Sequence, residues 1–368
     1  MGFLIKHFWG SLLFTVVCLA GGAALGWSST GTLQGALSIL FICAVLGVLE
    51  VSLSFDNAVV NATVLRDMSP FWRKMFLTWG ILIAVFGMRI LFPLLIVAIA
   101  AQLGPVEAVR LALADPARYE TIITDAHVGI AAFGGAFLAM VGLKFFFDAD
   151  KEVHWIAAFE RRLVKFSDVE AVEIAVVLLA LFGVSQLLPA EDALTFLIAG
   201  ICGVLTFVGV DALGSLLKGS GDTLKTTARS GLAAFLYLEV LDASFSFDGV
   251  IGAFALSNNL IVIALGLGIG AMFVRSMTVF LVERGTLAQY RYLEHGAFWA
   301  ILALAAIMLA SARWHIPEVI TGLIGAVLIG LSLWWSIRHN KLHPEDAVLH
   351  AEEEAVRVDG VPRPLEPA

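Results

Sequence analysis

The chain has 368 residues, of which 60% are hydrophobic and 15% charged, with a mean hydropathy of +0.91 and a formal net charge of −8. Soluble domains run near half apolar and a quarter charged, so a single soluble globule is excluded and a multi-span membrane protein is indicated. In such a chain the position of charge says more about partners than its total. No Walker A run is present and no nucleic-acid partner is expected.

The first apolar run, about 8–27, follows Lys6. It is long for a signal peptide and "GGAALGWSS" is a weak cleavage site, so it reads as a retained membrane helix. A bilayer core about 30 Å thick takes roughly 20 apolar residues in a helix. On that rule the sequence predicts ten spans, at 8–27, 35–62, 75–101, 127–147, 171–188, 193–213, 232–257, 260–282, 296–312 and 317–337. The polar stretch 103–125 is an external loop, and the charged, partly helix-periodic stretch 148–170 an amphipathic segment along the cytoplasmic membrane surface. Residues 338–368 form an acidic tail expected to be disordered. Cys18, Cys43 and Cys202 stand alone in apolar runs, so neither a disulfide nor a zinc site is expected.

Ten spans sort the basic loop residues sharply. Sixteen Lys and Arg, from Lys6 to Lys341, fall on one side, against Arg110, Arg118 and Arg313 on the other. Cytoplasmic loops carry the excess, which puts both ends of the chain in the cytoplasm and the protein in the inner (plasma) membrane.

The chain also repeats itself. "LEVSLSFDNA" (49–58) aligns with "LDASFSFDGV" (241–250), which sets Glu50 on Asp242, Ser52 on Ser244, Ser54 on Ser246 and Asp56 on Asp248. Further on, Gly80 falls on Gly266, Arg89 on Arg275 and His127 on His295. The expected fold is therefore an all-α membrane protein of two inverted five-helix repeats. The first comprises 1–147 with helices 1 to 4, the linking segment 148–170, and helix 5 at 171–188. The second comprises 193–337. Inverted repeats place substrate and ion sites near the bilayer midplane where the two units meet.

Charges inside membrane helices cost about 2.5–3.5 kcal/mol each, so they must pair, bind an ion or face water. Seven are present: Glu50, Asp56, Glu239, Asp242, Asp248, Arg89 and Arg275. Glu50, Ser54, Asn57 and Asn61 recur at helical spacing and make one polar stripe, while Asp56 lies off it. Glu239, Asp242 and Ser246 share a face of helix 7, and Asp248 lies off that one. Either the helices unwind near the SFD motifs, as Gly249 would allow, or each acid meets a different neighbour. The two arginines suit ion pairs with the acids. Carboxylates, amides and hydroxyls are hard oxygen donors of the kind that bind Mn²⁺, Mg²⁺ or Ca²⁺.

"EVSLSFDNAVV", "EVLDASFSFDGVIGAFALS" and "HIPEVITGLIGAVLIG" resemble the signatures of the TerC family, within the LysE-type transporter superfamily. The resemblance spans roughly 35–337, and the greater length marks a divergent subgroup. It implies manganese efflux or metal-ion homeostasis, with links to tellurite resistance. It also implies that Glu50, Asp56, Asn57, Glu239, Asp242 and Asp248 are the metal positions; Ser52, Ser54, Asn61, Ser244, Ser246, Arg89 and Arg275, from the polar faces and paired charges read above, stand as supporting residues. The leading expectation is a non-enzymatic secondary transporter that exports a divalent cation, manganese first, with protons as a coupling ion. Efflux of a small organic solute and a metal-homeostasis scaffold without transport stand as alternatives. An intramembrane aspartyl protease is disfavoured, because neither motif has a Gly-x-Gly-Asp context.

Overall fold

The computed structural model describes residues 2–66, 68–80, 82–148, 151, 153–164, 171–218 and 223–343. Side chains are described at all of these except 2–6, 215–218, 223–230, 247–248, 288 and 318–319. The protein is an all-α membrane protein, with no strand among the described residues.

The chain opens with the hairpin of α1 (Gly2–Thr30) and α2 (Leu33–Leu53). Gly31 turns it at positive φ, and the Thr32 hydroxyl caps α2 by accepting the Gly35 N–H at 3.1 Å. A break at Ser54 leads into α3 (Phe55–Arg66). Next come α4 (Pro70–Met75), two π-helical stretches at Phe76–Gly80 and Ile83–Leu91, and α5 (Phe92–Ala100). The polar segment 103–125 folds as α6 (Pro105–Ala114) and α7 (Pro116–Asp125), each opened by a proline in its first turn, where the missing N–H costs nothing. Then follow α8 (His127–Phe146), α9 (Ala157–Val164), α10 (Val172–Ser185), α11 (Ala190–Lys218) and α12 (Thr223–Phe254). The chain finishes with α13 (Leu260–Glu283), α14 (Thr286–Gln289), α15 (Leu293–Ser311) and α16 (Glu318–Leu342).

All ten predicted spans land on helix. Among the described residues, eight helices are long and apolar enough to cross a membrane: His7–Thr30, Leu33–Leu53, Ile83–Ala100, His127–Phe146, Ala190–Gly214, Leu260–Glu283, Leu293–Ser311 and Ile320–Leu342. The segment predicted at 171–188 forms α10, whose 14 residues reach only about 21 Å along the axis, short of the bilayer core. The segment predicted at 232–257 lies in α12, which is long but carries the second cluster of acids.

The core forms where α8 packs on α11 and α15, and where α2 and α3 pack on α13. The largest buried cluster includes Phe137, Leu138, Val141, Phe196, Ile301 and Met308. Outward residues such as Phe41, Leu179 and Leu205 are apolar and exposed, as lipid-facing positions must be. α12 threads the middle and touches α3, α8, α13 and the second π stretch.

The segment predicted to lie along the membrane surface is tied down more deeply than its charge suggests. Glu160 of α9 is fully buried. Its carboxylate accepts from Lys151 Nζ at 3.2 Å, from the backbone N–H groups of Trp155 and Ile156 at 3.2 and 3.1 Å, and from Trp299 Nε1 of α15 at 3.1 Å. His154 and His295 stand at 3.7 and 3.6 Å from the same carboxylate. The tail predicted to be disordered from residue 338 is not so at its start, since 338–342 complete the last turns of α16, and from residue 344 on it falls outside the described residues.

Candidate functional site

The polar site begins at the break after α2. In one straight helix, six residues turn about 600°, so Glu50 and Asp56 could not share a face. The backbone leaves the helix at Ser54 (φ −108°, ψ 18°), whose N–H still donates to the Glu50 carbonyl at 3.0 Å, and α3 restarts at Phe55. The two acids then meet different neighbours. Glu50 is 2% exposed and forms an ion pair with Arg89 of the second π stretch. The Ser54 hydroxyl donates to the same carboxylate at 3.4 Å. Glycines make room for it: a Cβ on Gly270 would sit 2.3 Å from the Glu50 Cβ, and one on Gly249 2.8 Å from its Oε2.

Asp56 is 5% exposed and points the other way. Its Oδ1 accepts the Asn57 N–H at 3.0 Å, and its Oδ2 lies 3.6 Å from where a Cβ on Gly325 of α16 would be. It does not line the cavity described next.

That cavity, of about 40 Å³, lies between α3, the π stretches, α12 and α13. Its polar lining is Ser54, Asn57, Asn61, Arg89, Glu239, Asp242, Arg275 and Thr278. Asn57 ties α3 to α12 by donating its amide Nδ2 to Asp242 Oδ1 at 2.9 Å. What remains without partners is one donor, Arg89 Nε, and a set of oxygens: Oδ1 of Asn57, Oδ1 of Asn61, both carboxylate oxygens of Glu239 and Oδ2 of Asp242. Buried polar atoms are nearly always satisfied, so five orphan acceptors around one small cavity call for a cation or ordered water. At roughly 10–15 Å³ per water the space holds about three waters, or one partly hydrated ion. Gly80 shapes the wall, since a Cβ there would lie 2.9 Å from Glu239 Oε1.

The two arginines part ways. Arg89 pairs with Glu50 as expected. Arg275 instead donates Nε and Nη2 to the Leu77 carbonyl, at 3.1 and 2.7 Å. Leu77 lies in the first π stretch, where the wider helix disturbs the regular backbone pattern and opens a carbonyl to an outside donor.

The remaining predicted positions are dispersed. Ser52 is exposed and donates back to the Val48 carbonyl at 2.8 Å. Ser244 is buried and likewise bonds back to the Val240 carbonyl at 2.9 Å. Ser246 is buried with an unpartnered hydroxyl and does not line the cavity. The Asp248 side chain lies outside the described residues. Helix unwinding near Gly249 does not occur: α12 runs unbroken through it, and the missing Cβ serves the approach of Glu50 instead. Among the described residues no three His, Cys, Asp or Glu side chains gather in metal-binding positions, so the donor set is mixed carboxylate and amide.

Sequence reasoning overlooked Thr278 and Glu160. Ala271, Val274, Arg275 and Thr278 share a helical face, a periodic signal that would have found Thr278. Glu160 gave no such signal. Burial alone would raise its carboxyl, but the Ile156 N–H, His295, Lys151 and the Trp299 indole outweigh that and hold it below its ordinary value. Lys151 is also held below its ordinary value, because burial outweighs its attraction to Glu160. The pair is therefore favourable chiefly from the carboxylate side, where backbone and indole donors add to the ammonium.

Residues 55–343 match the family described as "Protein of unknown function (DUF475)". No curated protein and no solved structure matches the chain. The likeness to TerC rests on the motifs alone.

Proposed function

The chain belongs to the DUF475 family, a family of unknown function, and from that premise we propose that it is a secondary transporter exporting a divalent metal cation, manganese first, through the cavity between α3, α12 and α13. One observation carries this reading: five unpartnered oxygens from Asn57, Asn61, Glu239 and Asp242 surround a space the size of a small ion with a few waters. Mn²⁺, Mg²⁺ and Ca²⁺ all favour such donors, and Mn²⁺ also tolerates amide oxygens. With Glu50 neutralised by Arg89, two carboxylates face the single cation Arg275. The balance favours a divalent ion or protons over an anion.

A site of two carboxylates and two amides is weaker than a cage of acids, which suits a carrier that must release its cargo. α2–α3 and α12 supply the two SFD motifs as corresponding members of two inverted repeats, and rocking of one repeat against the other would expose the cavity to alternate sides. Asp56, apart from the cavity, is left to carry a coupling proton. Both termini lie in the cytoplasm of a cell whose inner membrane holds the protein. The size of the cavity counts against an organic solute, and a scaffold role would leave the orphan oxygens without purpose. No covalent chemistry is assigned.

Titration of the purified protein with Mn²⁺, followed by the loss of the free-ion electron paramagnetic signal, tests the reading. One site per chain, lost in Glu239→Gln and in Asp242→Asn, is expected. Undiminished binding in both variants would remove the cavity from consideration.

A further inference from the structure

The second π stretch, Ile83–Leu91, is a wall with two faces. Ala84 and Arg89 line the ion cavity, while Val85, Phe86 and Ile90 line a second space behind it. This second space is a cleft of about 400 Å³ between α1, the π stretch with α5, α6 and α13. Its floor includes Cys18, Ala112 and Leu260, all buried. Its rim includes Phe86 and Leu113, which are 52% and 62% exposed, so the mouth opens sideways. All fourteen residues that line it are apolar. Water finds no partners in such a space. Three of the four walls, α1, the π stretch with α5, and α13, belong to helices long and apolar enough to cross a membrane, so the medium at the mouth is lipid.

One cation stands beside the rim, with Glu107 one turn before it on α6, where that carboxylate accepts the Gly104 N–H. Arg110 follows Val109 on α6 and comes one turn before Leu113, both of which line the cleft. It is exposed and makes no ion pair among the described residues. α6 follows directly on the apolar span that ends at Ala100, so Arg110 sits near that end of the bilayer, where headgroups lie, and offers a guanidinium to a phosphate.

We propose that the cleft is a binding site for one acyl chain of an anionic phospholipid, with the lipid phosphate on Arg110. The chain would press on the back of the stretch that holds Arg89 against Glu50. π-helical backbone is wider and less regularly bonded than α-helix, so packing from behind supports it. The lipid thereby becomes a structural partner of the polar site, and the proposal itself does not depend on which ion that site takes.

The test is native mass spectrometry of the full chain, equilibrated in detergent with equal amounts of phosphatidylglycerol and phosphatidylcholine. Wild type should retain one phosphatidylglycerol, preferred by about fivefold, the worth of one basic residue near an anionic headgroup. Arg110→Glu should abolish the preference. Ala264→Trp, which fills the cleft, should reduce retention of either lipid by about tenfold or more. Val109→Asp, at the mouth, should do the same and serves if the tryptophan variant misfolds. Equal loading of the two lipids on wild type, or wild-type loading of the cleft variants in protein of unchanged melting temperature, would overturn the proposal. The readout is lipid mass, so it stands or falls separately from Mn²⁺ binding.

Discussion

Replacing Glu160 with alanine would strip a fully buried carboxylate from four donors at once: Lys151, the Trp155 and Ile156 N–H groups, and the Trp299 indole. The Lys151 side chain is only 7% exposed, and its charge would lose its hydrogen-bonded partner and keep only the more distant Glu294 and Asp148 carboxylates and the Phe145 and Phe146 rings. Breaking a buried ion pair by removing one partner costs about 3–5 kcal/mol. Some of the lost hydrogen bonds are counted within that figure, and the net expectation is about 4 kcal/mol. With an unfolding entropy near 2.1 cal/mol/K per residue, a chain of this length should melt about 5 °C lower. Intrinsic tryptophan fluorescence in detergent is the assay, with Trp155 and Trp299 reporting from the site itself. The effect has a pH signature. Glu160 is held below its ordinary value of 4.5, so its contribution is complete above that pH and is lost as pH falls through the lower folded value. The gap between wild type and Glu160→Gln should therefore be constant near neutrality and close in acid. A Glu160→Ala protein that melts within about 1 °C of wild type at pH 7 would refute the reasoning.

Gly80→Ala would press a methyl group against Glu239 Oε1 and the Phe76 ring, both at 2.9 Å, and should weaken Mn²⁺ binding about tenfold or more while the protein still folds. Arg89→Met leaves the Glu50 carboxylate buried and unpaired and should cost about 3–5 kcal/mol, whereas Glu50→Leu with Arg89→Met should recover most of it. Thermal unfolding of the four proteins in that cycle gives the coupling directly. Ser52→Ala, at an exposed hydroxyl bonded back to Val48, should change stability by less than about 0.5 kcal/mol and leave ion binding untouched. Asn61→Ala, one helical turn beyond Asn57 on the cavity wall, should weaken binding measured by the same titration.

Much of this architecture can be read from the chain. Apolar length alone places helices at all ten expected segments, and the period of 3.6 groups Glu50 and Ser54 at one end of the polar stripe with Asn57 and Asn61 at the other. Periodicity gives a face, however, not the neighbour across it. Asp56 and Glu50 differ in surroundings because α16 covers one and Arg89 the other, contacts made with partners far along the chain. Arg275 looked like a partner for the acids, but a π-helical carbonyl at Leu77 takes it, and nothing local to "MFVRSM" foretells a distortion in another helix. Glu160 sits in "FERRLVK", which has the composition of a solvated face. Its burial depends on Trp299, which is 139 residues away and buried in part by α8 and α9 side chains. Gly80 and Gly270 carry meaning only through the carboxylates they admit, and a missing side chain leaves no pattern of its own.

Transport through the oxygen-lined cavity, as proposed above, requires that it carry a divalent cation across the membrane. The most direct measurement is Mn²⁺ flux into liposomes that hold the reconstituted protein and an internal fluorescent reporter, with and without a pH gradient. Wild type should carry Mn²⁺, Glu239→Gln and Asp242→Asn should not, Ser52→Ala should do so undiminished, and Asp56→Asn should lose the pH-gradient effect. Flux that persists in both cavity variants, or no flux of Mn²⁺, Mg²⁺ or Ca²⁺ by folded and inserted wild type, would contradict the proposal.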